Sequence, residues 1–210
     1  MRKIVLIVSF FLILTSGWIA FTAGAVEPVG RNIIYIHVPA SICSLVCFTV
    51  LFVCSIQYLR TKSDSADYTA AASAEVGLIF ATVLNLTGMI FAKSEWGIWW
   101  TPSMRLISSA ILWFLYVAYL ILRTSIEGRQ RKGVISAVFG IIAFIDVPLV
   151  FVSARFLRDI HRPSFSFESG WQNIGFFLNI VGTLFLVCFL VHIRMEIFKM
   201  KNRIEQLRIE

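Results

Sequence analysis

Charge is scarce in this chain: only 15% of its 210 residues are Asp, Glu, Lys or Arg, whereas 58% are apolar. A mean hydropathy of +0.82 leaves too little polar surface for a water-soluble globule, and the low charge also excludes a disordered chain. Four cysteines are too few for a disulfide scaffold. The class that remains is an integral membrane protein.

The chain contains six long apolar stretches. Each is about as long as, or longer than, the roughly 20 residues that a helix needs to cross a bilayer. Because lipid cannot satisfy exposed backbone groups, and the stretches do not alternate as barrel strands do, each is predicted to be a helix. The predicted spans are Ile4–Phe21, Ile33–Leu59, Val76–Ala92, Leu106–Leu122, Val134–Ala154 and Ile174–Ile193. The sequence therefore predicts an all-α, polytopic six-helix bundle that forms a single domain over residues 1–210.

The basic residues predict the orientation of this bundle. With six crossings, thirteen Lys and Arg lie on one face and six on the other. The positive-inside rule then predicts that both termini are cytoplasmic. The outer loops are predicted at residues 24–32, 93–105 and 155–173. The net charge of +7 follows mostly from this asymmetry and does not indicate nucleic-acid binding.

The first apolar stretch has a second interpretation. Basic residues precede it and the small residues Ala23, Gly24 and Ala25 follow it, which is also typical of a secretory signal peptide. Its apolar run of 18 residues exceeds the usual length of about 7 to 15. A retained helix is therefore favoured.

Only three histidines occur, and two of them are predicted on the outer side. His37 lies in Tyr-Ile-His-Val-Pro near the outer end of the second span, and His161 lies in Asp-Ile-His-Arg-Pro in the third outer loop. Two imidazoles at one membrane face can ligate one metal ion from opposite sides. The alternative is that each is an ordinary interfacial residue. His192 is predicted at the opposite face.

Three of the six tryptophans lie within five positions of the second outer loop: Trp96, Trp99 and Trp100. Scattered tryptophans are explained by the aromatic belt of a membrane protein. A cluster of three in one loop is also typical of a flat apolar platform for a planar ligand. Arg105 is close enough in sequence to bind an acid group at the rim of such a platform. The sequence does not decide between a ligand platform and an aromatic belt.

The fifth stretch contains the one carboxylate inside a predicted span. Asp146 stands two residues before Pro148, and the missing N–H of a proline predicts a bend in the helix. A structural role at that bend is favoured, although a carboxylate within a membrane is also a functional candidate. Cys43 and Cys47 share one helix face and are predicted to be small packing residues.

Three motifs together carry a resemblance to a known family. They are Tyr-Ile-His-Val-Pro-Ala at 35–40, Trp-Gly-Ile-Trp-Trp at 96–100 followed by Arg105-Leu106, and Asp-Val-Pro at 146–148 followed by His-Arg-Pro at 161–163. In order, spacing and topology they resemble the heme exporter protein C (CcmC) family, among the CcmC/CcmF/CcsA haem-handling proteins of cytochrome c maturation. The similarity covers essentially the whole chain.

The resemblance implies a function and a set of site residues. The cofactor would be haem b, with His37 and His161 as axial iron ligands, the three tryptophans around the porphyrin and Arg105 at a propionate. The protein would hold haem at the outer face of the bacterial inner membrane and present it to a periplasmic haem chaperone of the CcmE type. Other cytochrome c maturation subunits, including an ABC-type transporter, would be partners beside the lipid bilayer. This is a haem-delivery component rather than a classical enzyme.

The chain departs from the family pattern in the tryptophan loop, where Pro102 and Ser103 stand in place of the family's Trp and Asp. Two other classes remain alternatives. A b-type cytochrome anchor or electron-transfer subunit usually places its ligands within helices, whereas His161 falls in a hydrophilic loop. A small transporter would use Asp146 as its pathway residue, but no internal repeat is evident. Hydrolases and kinases are unsupported, because their motifs are missing.

Overall fold

The computed structural model describes residues 2–22, 32–156 and 170–207. Within these ranges the regular elements are all helical, and six segments are long and apolar enough to cross a membrane. The seven α-helices are α1 (Arg2–Thr22), α2 (Ile34–Thr61), α3 (Asp64–Trp96), α4 (Met104–Ser125), α5 (Arg129–Ala143), α6 (Asp146–Phe156) and α7 (Gly170–Leu207). The predicted all-α, six-span architecture is confirmed.

Two helices extend well beyond the apolar stretches that predicted them. Helix α3 begins at Asp64 rather than near Val76, and α7 has 38 residues, about 57 Å at a helical rise of 1.5 Å per residue. The predicted bounds were too short because they counted apolar residues only. They also placed residues 93–105 in a loop, whereas the loop observed between α3 and α4 is limited to residues 97–103.

The fifth span is broken in the middle, as the proline predicted. Helix α5 ends at Ala143, and α6 begins at Asp146. At the junction the backbone hydrogen bonds join residues three apart instead of four. The N–H of Ile145 donates to the carbonyl of Ile142 at 3.1 Å, and the N–H of Val147 donates to the carbonyl of Phe144 at 3.0 Å. Pro148 lies in the first turn of α6, where a missing N–H is tolerated. The predicted bend is confirmed.

Small residues let the helices pack closely. A Cβ atom at Gly77 of α3 would lie 2.7 Å from the Phe48 ring of α2, and one at Gly182 of α7 would lie 2.8 Å from Leu12 of α1. Close backbone approach of this kind is typical of membrane helices, which gain most of their association energy from van der Waals packing. The bundle therefore contains two tightly packed pairs, α2 with α3 and α1 with α7.

The bundle has two chemically different ends. At the first, arginines from three helices bind acids of α3: Arg123 of α4, Arg129 of α5 and Arg194 of α7. We call this the basic end. At the other, α3 ends at Trp96 and α4 begins at Met104. We call this the tryptophan end, and the first turn of α2 lies there too.

Candidate histidine and tryptophan site

His37 lies in the first turns of α2 and points at α3. Its ring is half-buried, and its Nδ1 atom lies 3.0 Å from the hydroxyl oxygen of Thr87. Gly88 follows on α3, and a Cβ there would lie 3.2 Å from the Cε1 atom of His37. The missing side chain of Gly88 therefore leaves room for the imidazole against the helix.

The hydrogen bonds of Thr87 bear on the tautomer of His37. The Thr87 hydroxyl donates to the carbonyl oxygen of Val83 at 2.6 Å, within its own helix. A hydroxyl has one proton to donate, so while it is bound to Val83 it accepts from His37. In that arrangement His37 carries its proton on Nδ1, and Nε2 is the nitrogen suited to a metal.

A second contact fixes the beginning of α2. The Tyr35 hydroxyl donates to the backbone carbonyl of Gln172 at 3.2 Å, and the Tyr35 ring meets Phe176 edge to face at 6.0 Å between centroids. Both partners lie in the first turns of α7. The first turn of α2 is thus held between α3 and α7, and His37 stands on a rigid support.

The tryptophan loop begins where α3 ends in a glycine cap. Gly97 has φ 73°, a left-handed conformation that glycine adopts readily, and it closes the helix through a bond from its N–H to the Lys93 carbonyl. The Lys93 ammonium donates back to the Gly97 carbonyl at 2.8 Å and lies 6.0 Å from the centroid of the Trp99 ring. Lys93 therefore steadies both the cap and the first residues of the loop.

The three tryptophans are not equivalent. Trp96 is half-buried and packs edge to face on Phe91, with 5.9 Å between ring centroids. Trp99 is 54% exposed and Trp100 is 39% exposed. One indole is thus anchored against α3, while two present apolar surface at the tryptophan end. This arrangement suits a platform and a belt alike.

Arg105 occupies the first turn of α4, beyond a side-chain cap. The Ser103 hydroxyl accepts a hydrogen bond from the backbone N–H of Leu106 at 3.3 Å, which makes Ser103 the N-cap. Ser is a strong N-cap, so Ser103 stabilises the first turn of α4. Because a helix N-terminus favours anions, an acid group next to Arg105 would be stabilised twice.

The structure brings together only part of the predicted site. His37, the tryptophan loop and Arg105 all lie at the tryptophan end, whereas His192 lies in the opposite half of α7. His161 and its neighbours Arg158 and Arg162 lie outside the described residues, as does the side chain of Arg155. The segment that carries His161 joins α6 to α7.

Sequence reasoning missed Thr87 and Gly88. Both stand in an apolar stretch in which a threonine normally bonds back to its own helix. Their adjacency could have indicated a site, because a threonine hydroxyl next to a glycine leaves room for a polar side chain on the surface of a helix. Only the pairing of α2 with α3 shows that an imidazole fills it.

Fold and site together define the class: a polytopic α-helical membrane protein with an oriented imidazole and exposed indoles at one end. Residues 1–210 match the heme exporter protein C family along their full length. The chain therefore belongs to the heme exporter protein C family.

Individual relatives agree with this assignment. The chain is 28% identical over 187 residues to heme exporter protein C of Escherichia coli (strain K12), an alignment that covers 82% of this chain and 76% of the relative. It is 25% identical over 179 residues to heme exporter protein C of Bradyrhizobium diazoefficiens, which covers 85% and 68%. A putative cytochrome c biosynthesis ccmC-like mitochondrial protein of Marchantia polymorpha is 29% identical over 137 residues, or 64% and 58%.

Proposed function

We propose that this protein holds haem b at the tryptophan end of the bundle and presents it to a periplasmic haem chaperone of the CcmE type. The tryptophan end would face outward from the bacterial inner membrane. The observation that carries the proposal is the placement of His37, whose Nδ1 atom lies 3.0 Å from the Thr87 hydroxyl oxygen. An imidazole oriented in this way offers Nε2 to a metal, and membership of the heme exporter protein C family makes haem the expected ligand.

The chemistry of the donor set fits haem. Haem iron accepts neutral imidazoles as axial ligands and, when bound, supplies a redox-active centre that amino acids lack. His37 would provide one ligand through Nε2, because Nδ1 is held by Thr87. His161, in the segment that leads into α7, would provide the second. The support for His161 is its motif in the sequence and its connection to α7, whose first turns contact Tyr35.

The surroundings suit the remaining parts of haem. Trp99 and Trp100 present apolar surface on which a porphyrin packs favourably. The propionates are anionic, and Arg105 at the N-terminus of α4 offers them a cation together with the positive end of a helix. Trp96, anchored on Phe91, would fix the loop against α3.

The exposure of Trp99 and Trp100 suits the presentation of haem to a partner. Two indoles that are about half exposed keep one edge of the site open to a protein partner. A soluble chaperone would approach there, and subunits of an ABC-type transporter would contact the lipid-facing helices. The protein would therefore act by delivery, without chemistry on a substrate of its own.

The test is the visible absorption spectrum of the purified protein with haem. His37→Ala and His161→Ala should each give a weakened or five-coordinate haem spectrum, and added imidazole should partly restore it by filling the vacant axial position. His192→Ala is the matched control, because His192 lies in the other half of α7, and it should leave the spectrum unchanged. Equal, small effects of all three changes would disprove axial ligation by His37 and His161.

A further inference from the structure

Helix α7 is much longer than a membrane crossing requires. A bilayer core takes roughly 20 helical residues, and α7 runs without a break from Gly170 to Leu207. Residues 194–207 follow the predicted sixth span and add roughly 20 Å of helix at 1.5 Å per residue. We call these residues the α7 extension. It leaves the bundle at the basic end.

One side of the α7 extension is held by α3. Arg194 forms an ion pair with Glu75. One turn further along, the Phe198 ring stacks on the Tyr68 ring, with 6.5 Å between centroids and 11° between the ring planes. These contacts hold the first turns of the extension in line with the rest of the helix.

The other side of the α7 extension carries apolar residues that no described residue covers. They are spaced three, four and three positions apart and are 39%, 57%, 54% and 66% exposed, in the order Ile197, Met200, Ile204 and Leu207. We call them the apolar stripe. Alternating intervals of three and four are the spacing of a coiled-coil seam, and the stripe fills its a and d positions. Lys201 and Glu205 line a groove along the stripe.

Within the membrane span, the same side of α7 is covered by α1. A Cβ atom at Gly182 would lie 2.8 Å from Leu12. Gly182 precedes Met200 by five full turns at 3.6 residues per turn, so the two lie on one side of the helix. In this antiparallel pairing Arg2, the first residue of α1, comes level with His192. The stripe therefore continues a helix-binding side of α7 beyond the beginning of α1.

The positions directly beside the apolar stripe are basic. Lys201 and Arg203 occupy the e and g positions of the heptad that begins at Ile197, where partner helices exchange ion pairs. Both are exposed, and neither forms an ion pair within the described residues. Glu196, beside the first turn of the stripe, is bound to Lys199. Acidic residues on a second helix would therefore be stabilised beside the outer part of the stripe.

Two other occupants of the stripe fit the structure less well. A lipid surface binds a helix that lies flat in the interface, whereas α7 is one continuous helix whose extension keeps the direction of the span. A second copy of the chain would bring another α7 to the stripe. Two α7 helices cannot follow this seam into the membrane, because α1 covers the same side of each there.

We propose that the apolar stripe and its basic flanks bind an amphipathic helix of a partner protein, which carries apolar residues on one side and acidic residues beside them. The two helices would pack as a short coiled coil at the basic end, beyond the beginning of α1. This surface uses none of the residues proposed for haem and stands whether or not haem binds.

Peptide binding to the full chain in nanodiscs of phosphatidylcholine tests the proposal. The probe is a fluorescent synthetic helix with leucine at a and d and glutamate at e and g, and its counterpart has lysine at e and g. Fluorescence anisotropy should show the acidic peptide binding at least about tenfold more tightly, because like charges that face each other across an interface are costly.

Variants of the extension locate the binding. Ile204→Gln should remove most of it, and Asn202→Gln is the matched control, because it places the same side chain away from the stripe. Lys201→Glu together with Arg203→Glu should reverse the preference, so that the basic peptide binds more tightly. Equal binding of the two peptides, or binding that survives Ile204→Gln, would overturn the proposal. If Ile204→Gln fails to accumulate, Met200→Gln replaces it, with the same expected loss.

Photo-cross-linking distinguishes the possible occupants. Leu207 is replaced by p-benzoylphenylalanine in nanodiscs that hold two copies of the chain and contain phosphatidylglycerol, and the acidic peptide is added before illumination. A cross-link to the peptide supports the proposal. A cross-link to lipid or to the second copy in the presence of the peptide assigns the stripe to that occupant and overturns it.

Discussion

At the scale of single residues, one hydroxyl orients the candidate ligand His37. The Thr87 hydroxyl lies 3.0 Å from Nδ1 of the imidazole, and while it donates to Val83 it accepts the Nδ1 proton. Partners of this kind fix the tautomer and the ring plane of metal-ligating histidines, and they raise the basicity of the nitrogen that binds. The candidate site is therefore a pair of residues on two helices rather than a histidine alone.

Replacing Thr87 tests this role directly. Thr87→Val keeps the shape of the side chain and removes the acceptor, so His37 loses its orientation. We expect haem affinity to fall about 10- to 100-fold, the usual effect of losing such a partner. Titration with haem, followed by visible absorption, measures it.

Thr49→Val is the control for that change. Thr49 is an exposed threonine whose hydroxyl also donates within its own helix, to Leu45 at 2.8 Å. Its replacement should leave haem affinity unchanged. Equal affinities for the two variants would show that Thr87 does not orient a ligand.

At the scale of elements, α3 is the helix that ties the others together at the basic end. Asp67 binds Arg123 of α4 in bidentate geometry, with the side chains 13% and 10% exposed, respectively. Asp64 of the same helix binds Arg129 of α5, but this pair is 58% and 42% exposed. The two pairs differ in burial and share their chemistry, so they form a matched comparison.

Burial should decide how much each pair contributes. Asp67→Asn leaves the Arg123 guanidinium buried without its counter-charge, and we expect a loss of about 3–5 kcal/mol in the free energy of unfolding. Asp64→Asn breaks a pair open to solvent and should cost about 0–1 kcal/mol. Loss of helicity in a titration with sodium dodecyl sulfate measures both. A loss of similar size in the two variants would rule out burial as the cause.

The tryptophan loop is the second element with a testable role. If its indoles present a porphyrin to a chaperone, replacing Trp96, Trp99 and Trp100 together by Ala should impair transfer more than ligation. Each aromatic contact contributes on the order of 1 kcal/mol beyond area burial, so single changes should weaken the site gradually.

The measurement separates holding from presenting. The triple variant should keep a Soret band on this protein and yield little haem on a periplasmic haem chaperone. Normal loading of the chaperone by the triple variant would assign these tryptophans to the interfacial belt.

The elements also show what sequence could and could not predict. Apolar runs locate all six spans, because a helix that crosses lipid has to be apolar over that length. Pro148 locates the break in the fifth span. The early beginning of α3 was missed because Asp64 and Asp67 look like loop residues until their arginine partners are known. Motifs identify His37 and the tryptophan loop because these residues form recognisable sequence patterns. They miss Thr87, because its contact with His37 joins two helices and cannot be read from the sequence of either one.

At the scale of the whole molecule, the outside is apolar, unlike that of a soluble protein. Large apolar side chains cover the outside: Phe10 is 58% exposed, and Phe114 and Phe177 are each 65% exposed. Hydroxyls lie inside, for example Ser55 and Ser73, which are fully buried. Lipid explains the exposed rings, and small serines inside the bundle let the helices approach closely.

The orientation of this bundle remains a prediction from its charges. Thirteen basic residues fall on one face and six on the other, and the side with more Lys and Arg is retained in the cytoplasm. Reporter fusions after Arg60, Arg129 and Glu210 should therefore report cytoplasm, and one after Trp100 should report the outside. The fusion after Trp100 is decisive, because it places the proposed haem site on one side of the membrane. Activity of a periplasm-only reporter at Glu210, together with its inactivity at Trp100, would invert the bundle and leave the tryptophan end out of reach of any periplasmic partner.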